Sequence, residues 1–208
     1  MGMAALPTAL FWRRLDTAGC EQVLYSDAAG LRARGTMLAA SPMPLACRYE
    51  LYTDETWATA RCEVTVEGAG FVRSVRLERA AGRWRVTATE QGNLDAALLA
   101  AGHARDAQPG CEEPMKLNTA LDVDLGFTPL TNTLPIRRLG LLDSPVGTSR
   151  TLEVAWILIP SLKVVESSQT YLNLGDHQVR FVSGSFSVDL DVDERGYVRY
   201  YPGLAERV

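Results

Sequence analysis

The densest run of polar and conformationally restricted residues extends from Asp122 to Leu139. It reads Asp-Val-Asp-Leu-Gly-Phe-Thr-Pro-Leu-Thr-Asn-Thr-Leu-Pro-Ile-Arg-Arg-Leu. Pro129 and Pro135 restrict the backbone on either side of Thr131-Asn132. An asparagine in such a place bonds its own backbone and holds a turn. Two readings follow. In one, a rigid polar corner presents Asn132 and either Arg137 or Arg138 to a ligand head group. In the other, the corner is structural and Arg137 or Arg138 neutralises Asp122 or Asp124. If the arginines lie on a strand they point to opposite faces, so at most one faces a cavity. The carboxylates also admit an enzyme, with Asp122 or Asp124 as general acid or base on a small lipid or sugar substrate.

Other chemistry is sparsely represented. His103 and His177 have no partner at HExxH or HxH spacing, and neither a Gly-x-Ser-x-Gly elbow nor a phosphate loop occurs. Asp189, Asp191 and Asp193 precede Gly196, but a calcium loop starting at Asp189 needs glycine where Glu194 stands. Cys20, Cys47, Cys62 and Cys111 include no CxxC pair. No cofactor and no metal are therefore expected. Arg73 sits on an otherwise apolar strand face with Phe71, Val75 and Leu77. It either binds an anionic group in a cavity or reaches solvent at a strand end, and the second is favoured. Trp57, Trp84 and Trp156 line a pocket or, more commonly for tryptophan, fill a core.

These residues need elements to hold them, and the dominant pattern has period two. Cys47, Tyr49 and Leu51 alternate with Arg48, Glu50 and Tyr52, and Cys62, Val64 and Val66 alternate with Glu63 and Thr65. This predicts a hairpin with one apolar face. A turn centred on Asp54-Glu55 would pair Tyr49 with Ala60 and Cys47 with Cys62, both thiols free. Strands continue over 71–79 and 83–89 around Ala80-Ala81-Gly82. Earlier strands are expected at 11–15, 21–26 and 31–40. Asn93, Leu94, Ala97, Leu98 and Gly102 mark one short helix, and the segment to Pro114 reads as a loop. Residues 151–160 are apolar on both faces, which predicts a strand covered on both sides. Strands at 162–174, 177–183, 185–192 and 197–201 follow. The chain is therefore mainly β, about fourteen strands with one short helix. A sheet that large must curl or close, giving a single large curved antiparallel sheet or half-open barrel over residues 1–208. A division near residues 92–114 is the alternative. Arg13-Arg14-Leu15 recurs as Arg137-Arg138-Leu139, too short a match to argue duplication.

Composition narrows the class further. The chain has 208 residues, is 47% hydrophobic and 22% charged, and carries a formal charge of -4. A protein this size needs no metal or disulfide staple. The acidic balance argues against a nucleic-acid partner. Nineteen of the 21 basic residues are arginine, the better side chain for bidentate contacts, although genome base composition produces the same bias. No run approaches the length of a membrane span. The start, from Met1 to Trp12, is apolar with Arg13-Arg14 after it, the reverse of a signal peptide. A cytoplasmic location is expected.

Tyr49 with Asp54 and Trp57, Asp122-Val-Asp124, the Thr128 to Leu139 run, Pro160, Gln169-Thr-Tyr171 and Tyr201-Pro-Gly-Leu204 with Arg207 form a recognisable set. In these residues the chain resembles the bacterial family of putative glycolipid-binding proteins, formerly a domain of unknown function. The resemblance covers nearly the whole chain. It implies a single-domain, many-stranded half-open barrel, similar to the bacterial lipoprotein-localisation factors that carry acyl chains. The expected function is non-enzymatic binding of an amphipathic ligand, a glycolipid or another acylated molecule. Its acyl part would lie in an apolar cavity near Trp156. Asn132, with Arg137 or Arg138, would meet the head group, with Asp124, Gln169, Tyr171 and Arg73 as further candidates. A protein with a filled core that binds a partner is the remaining alternative.

Overall fold

The computed structural model describes residues 8–208. The first seven residues of the apolar start lie outside the described residues. Seven strands form a meander: β1 (Thr8–Arg14), β2 (Gly19–Ser26), β3 (Arg32–Ala39), β4 (Leu45–Thr53), β5 (Thr59–Gly68), β6 (Phe71–Ala80) and β7 (Arg83–Gly92). Then come helix α1 (Leu94–Ala100), a 3-10 turn at Pro114–Thr119, β8 (Asp122–Leu125), a second 3-10 turn at Pro129–Asn132 and helix α2 (Thr133–Arg138). A second meander follows: β9 (Ser149–Ile157), β10 (Val164–Gly175), β11 (Gln178–Ser183), β12 (Phe186–Val192), β13 (Val198–Tyr201) and β14 (Ala205–Arg207).

All fourteen strands belong to one sheet, in the order β7-β6-β5-β4-β3-β2-β1-β14-β13-β12-β11-β10-β9-β8. Every pairing is antiparallel except β8 with β9, which is parallel. The sheet curves but does not close, and β7 and β8 are its edges.

Register explains the curvature. On β10, Gln169 and Tyr171 share a face, and across β9 that face carries Leu152, Val154 and Trp156. On β8 it carries Asp122 and Asp124. The opposite face presents Val123, Leu125, Ala155, Ile157 and Val164, which join the main core with Val64, Val66, Val75 and Leu77. The first face instead meets a second apolar cluster of Ile136, Tyr171, Val179, Phe181 and Leu190. The sheet therefore coils until its β8–β9 end lies against its own interior. This is why β9 is apolar on both sides: Val154, Ala155 and Ile157 are all buried. Trp156, at the open side of the coil, is half-buried.

Three details differ from the sequence expectation. Tyr49 faces Val64 rather than Ala60, and Leu51 rather than Cys47 is opposite Cys62. The cause is a wider turn, in which the Asp54 carboxylate accepts from the amides of Thr56 and Ala58 at 2.8 and 3.1 Å. The slip is even, so the apolar faces still coincide, and all four cysteines are free as expected. Arg137 and Arg138 lie on helix α2, not on a strand. Pro129 opens the 3-10 turn and Pro135 falls in the first turn of α2, where a missing N–H leaves no bond unmade. The Arg-Arg-Leu repeat thus spans a strand end in one copy and a helix end in the other.

Arg73 does not reach solvent. It is 1% exposed. Its guanidinium pairs with Glu90 at 3.0 Å and donates to the carbonyls of Ala107 and Ser161 at 2.7 and 3.1 Å. Glu90 is its cross-strand partner in the β6–β7 hairpin. Burial of the arginine is tolerated because its charge is paired with Glu90 and both terminal nitrogens donate. The predicted helix is present: Asn93 caps α1 by accepting from the Ala96 amide at 2.9 Å, and Gly102 follows at φ 82°.

Candidate functional site

Asp124, Asn132, Trp156 and Gln169 come from four separate elements and line one open groove of about 680 Å³. That is within the usual size of a small-molecule site. Strand β8 delivers Asp124, and β9 sets Trp156 directly beside it in register. Gly126 lets the indole lie close, since a Cβ there would sit 3.2 Å from the indole nitrogen. Thr128 caps the 3-10 turn by accepting from the Leu130 amide at 3.0 Å, which fixes the path to Asn132.

A continuous hydrogen-bond network joins these residues. The Asn132 amide donates to the Tyr171 hydroxyl at 3.0 Å. That hydroxyl donates to the Gln169 side-chain carbonyl at 3.2 Å. The Gln169 amide donates to Asp124 Oδ2 at 2.7 Å, and the Thr131 hydroxyl donates to Asp124 Oδ1 at 2.9 Å. Asn132 and Gln169 are 3% and 2% exposed, so each bond is made in a dry setting where an unmade one is costly. Burial raises the Asp124 carboxyl above its ordinary range, and the bonds from Gln169 and Thr131 work against that shift. Tyr171, fully buried behind the groove, is pushed well up by burial and by the charge on Asp124.

The arginines are placed elsewhere. Arg138 grips Asp122, with Nε at 3.0 Å from Oδ1 and the terminal nitrogen at 2.6 Å from Oδ2. Asp122 is fully buried, and burial raises its carboxyl while Arg138 lowers it. Arg137 stacks over the Trp57 ring at 4.4 Å and donates to the Arg195 carbonyl at 2.8 Å. Neither lines the groove, and neither does Asp122, so no pair of carboxylates faces it from β8. The structure thus assembles Asp124, Asn132, Trp156 and Gln169 in the groove with Tyr171 behind them, and it leaves Arg73, Arg137 and Arg138 outside.

Sequence reasoning missed part of the wall. Phe181, Phe186, Tyr201 and Leu204 supply apolar surface, and Glu166, Ser167 and Ser183 supply polar groups. Phe186 is exposed. The role of Thr131 is not legible in the sequence, because its partner, Asp124, is seven residues away across a turn. The carboxylates of Asp189, Asp191 and Asp193 are engaged separately by Arg180, Gln178 and Arg207. A second concavity of about 680 Å³ lies on the outer face of β2–β5, lined by Arg34, Arg48 and Arg61 together with Glu50 and Glu63.

An open, coiled fourteen-stranded sheet with a polar network in the groove at its mouth defines the class of this protein. The model of a family described as putative glycolipid-binding matches residues 9–207, and the chain belongs to that family. A crystal structure of a DUF1089-family protein from Pseudomonas aeruginosa is similar, with a TM-score of 0.68 and 26% sequence identity over 90% of this chain and 92% of that one. No curated protein matches the chain. Among the described residues no helix is long and apolar enough to cross a membrane.

Proposed function

We propose that the groove binds an amphipathic molecule, a glycolipid or another acylated compound, and that the protein carries it without chemical change. The observation that supports this is one groove holding two kinds of wall. Trp156, Phe181, Phe186 and Leu204 are apolar, and Asp124, Asn132 and Gln169 are a fixed hydrogen-bonding set. The apolar wall takes acyl chain, where each buried CH₂ contributes roughly 0.8 kcal/mol. The polar set orients the head group, because its side chains are already locked by one another and lose little freedom on binding.

The binding reading is tested by extracting purified protein with organic solvent and analysing the extract by mass spectrometry. A reproducible acylated species, or uptake of added glycolipid by stripped protein, is the expected result. Reproducible absence of both would contradict the reading.

A further inference from the structure

An acid is buried directly behind the turn that walls the groove. Glu21 lies on the inner face of β2, 1% exposed, and its second carboxyl oxygen has no hydrogen-bond partner. Four elements close over it. Trp12 of β1 and Met37 of β3 stand opposite it in register, and Arg14 is its diagonal neighbour on β1. From β4, the Tyr49 hydroxyl donates to Glu21 Oε1 at 2.5 Å, with Cys47 beside it. The fourth element is the turn after β8, whose Thr128 hydroxyl faces both Glu21 and Tyr49. Thr128 also lines the groove and caps the 3-10 turn that carries Thr131 and Asn132. One residue earlier, the Phe127 carbonyl accepts from Arg14 at 2.9 Å. Among the described residues Arg14 is the one cation facing Glu21, and it already holds this wall in place.

We propose that Glu21 is a pH-sensitive latch on the groove: while it keeps its proton the turn is held and the groove binds, and when the proton leaves for solvent the turn is released and binding weakens. The latch presupposes the binding reading above, since it acts on the same groove. A buried carboxylate needs a cation or several donors. Glu21 has the Tyr49 hydroxyl and one orphaned oxygen. Arg14 can serve it only by turning away from Asp16 and the Phe127 carbonyl, to which its nitrogens are committed. That turn of the side chain removes the donor that anchors the residue before Thr128. A neutral Glu21 makes no such demand. Burial raises its carboxyl from 4.5 to about 7, against the opposing pull of Thr128, Tyr49 and Arg14. Burial also pushes the Tyr49 hydroxyl and the Cys47 thiol up, so both keep their protons. Of the groups packed here, only Glu21 changes charge between pH 6 and 8.

The test titrates glucosyl dioctanoylglycerol, a probe with no titrating group, into the full-length protein at pH 6 and pH 8. The parent is expected to bind about fivefold more weakly at pH 8, and Glu21→Gln, which mimics the protonated acid, to bind equally at both. Equal affinity in the parent at the two pH values would overturn the latch and leave the groove reading standing. So would a loss that persists in Glu21→Gln, which would assign the pH dependence to the groove carboxylates Asp124 or Glu166. A second measurement needs no ligand. The Asn132 side-chain amide signals of the free parent should move with a midpoint near pH 7 and stay fixed in Glu21→Gln. If the probe binds at neither pH the groove reading fails, and Asn132 signals that do not move overturn the latch by themselves.

Discussion

Burial inside the coiled sheet pushes the Glu21 carboxyl from 4.5 up to about 7. The groups facing it are Tyr49, whose hydroxyl donates to Glu21 Oε1 at 2.5 Å, with Thr128, Arg14 and Cys47. Its second oxygen has no hydrogen-bond partner. The Tyr49 ring reaches this place only because residue 35 is glycine, since a Cβ there would lie 2.1 Å from the ring. The folded protein therefore keeps a proton that the unfolded chain releases above pH 4.5. Stability from this group is complete below pH 4.5 and is lost as pH rises to about 7. At 1.36 kcal/mol per unit the loss is roughly 3 kcal/mol. In Glu21→Gln that part of the pH dependence should disappear in urea unfolding between pH 4.5 and 8. Parallel profiles for variant and parent would refute the assignment. Arg138→Met makes a second residue-scale case. It strands the Asp122 carboxylate in the interior and should cost about 3–5 kcal/mol in the same assay, with much of that recovered by adding Asp122→Asn. Of these residues, the sequence shows Asp122 and Arg138 as a candidate pair. It hides Glu21, because a carboxylate on the inward face of a strand contradicts the pattern that identifies the face.

At the scale of elements, the strands were legible wherever apolar and polar residues alternate, and α1 wherever its cap and glycine stop appear. Helix α2 was not, because two prolines in eighteen residues suggest an irregular corner; only their positions, each in a first turn, make a helix possible. The partner of Arg73 turns on one residue. The hairpin closes on Ala81-Gly82 with Ala80 opposite Arg83, which brings Glu90 opposite Arg73, whereas a three-residue turn at Ala80-Ala81-Gly82 would set Thr89 there. Through its bonds to the Ala107 and Ser161 carbonyls, Arg73 also ties the 101–113 segment to the sheet. Arg73→Met should therefore raise amide hydrogen exchange over 103–112 by at least tenfold while α2 and the groove strands stay protected. An unchanged exchange pattern would show that the segment is held by something else.

The coil belongs to the whole molecule and was the least legible feature. A sequence shows that β9 is apolar on both faces, but not that the second cover is the sheet's own far half. That follows only once the β8–β9 end is seen packed into the main core with Val64 and Val75. The coil also decides the site. The consecutive strands β8, β9 and β10 at its end set Asp124 and Gln169 in one network with the 3-10 turn that carries Asn132, and the coil leaves a groove rather than a closed interior beside them. The central claim is that this groove is where an amphipathic ligand binds. Its most direct test is a titration of glucosyl dioctanoylglycerol followed by NMR of the side-chain amides and indoles. Perturbations confined to Asn132, Gln169 and Trp156 are predicted, with Trp57 and Trp84 unmoved. Perturbations concentrated on the outer face of β2–β5, or none at saturating ligand, would contradict it.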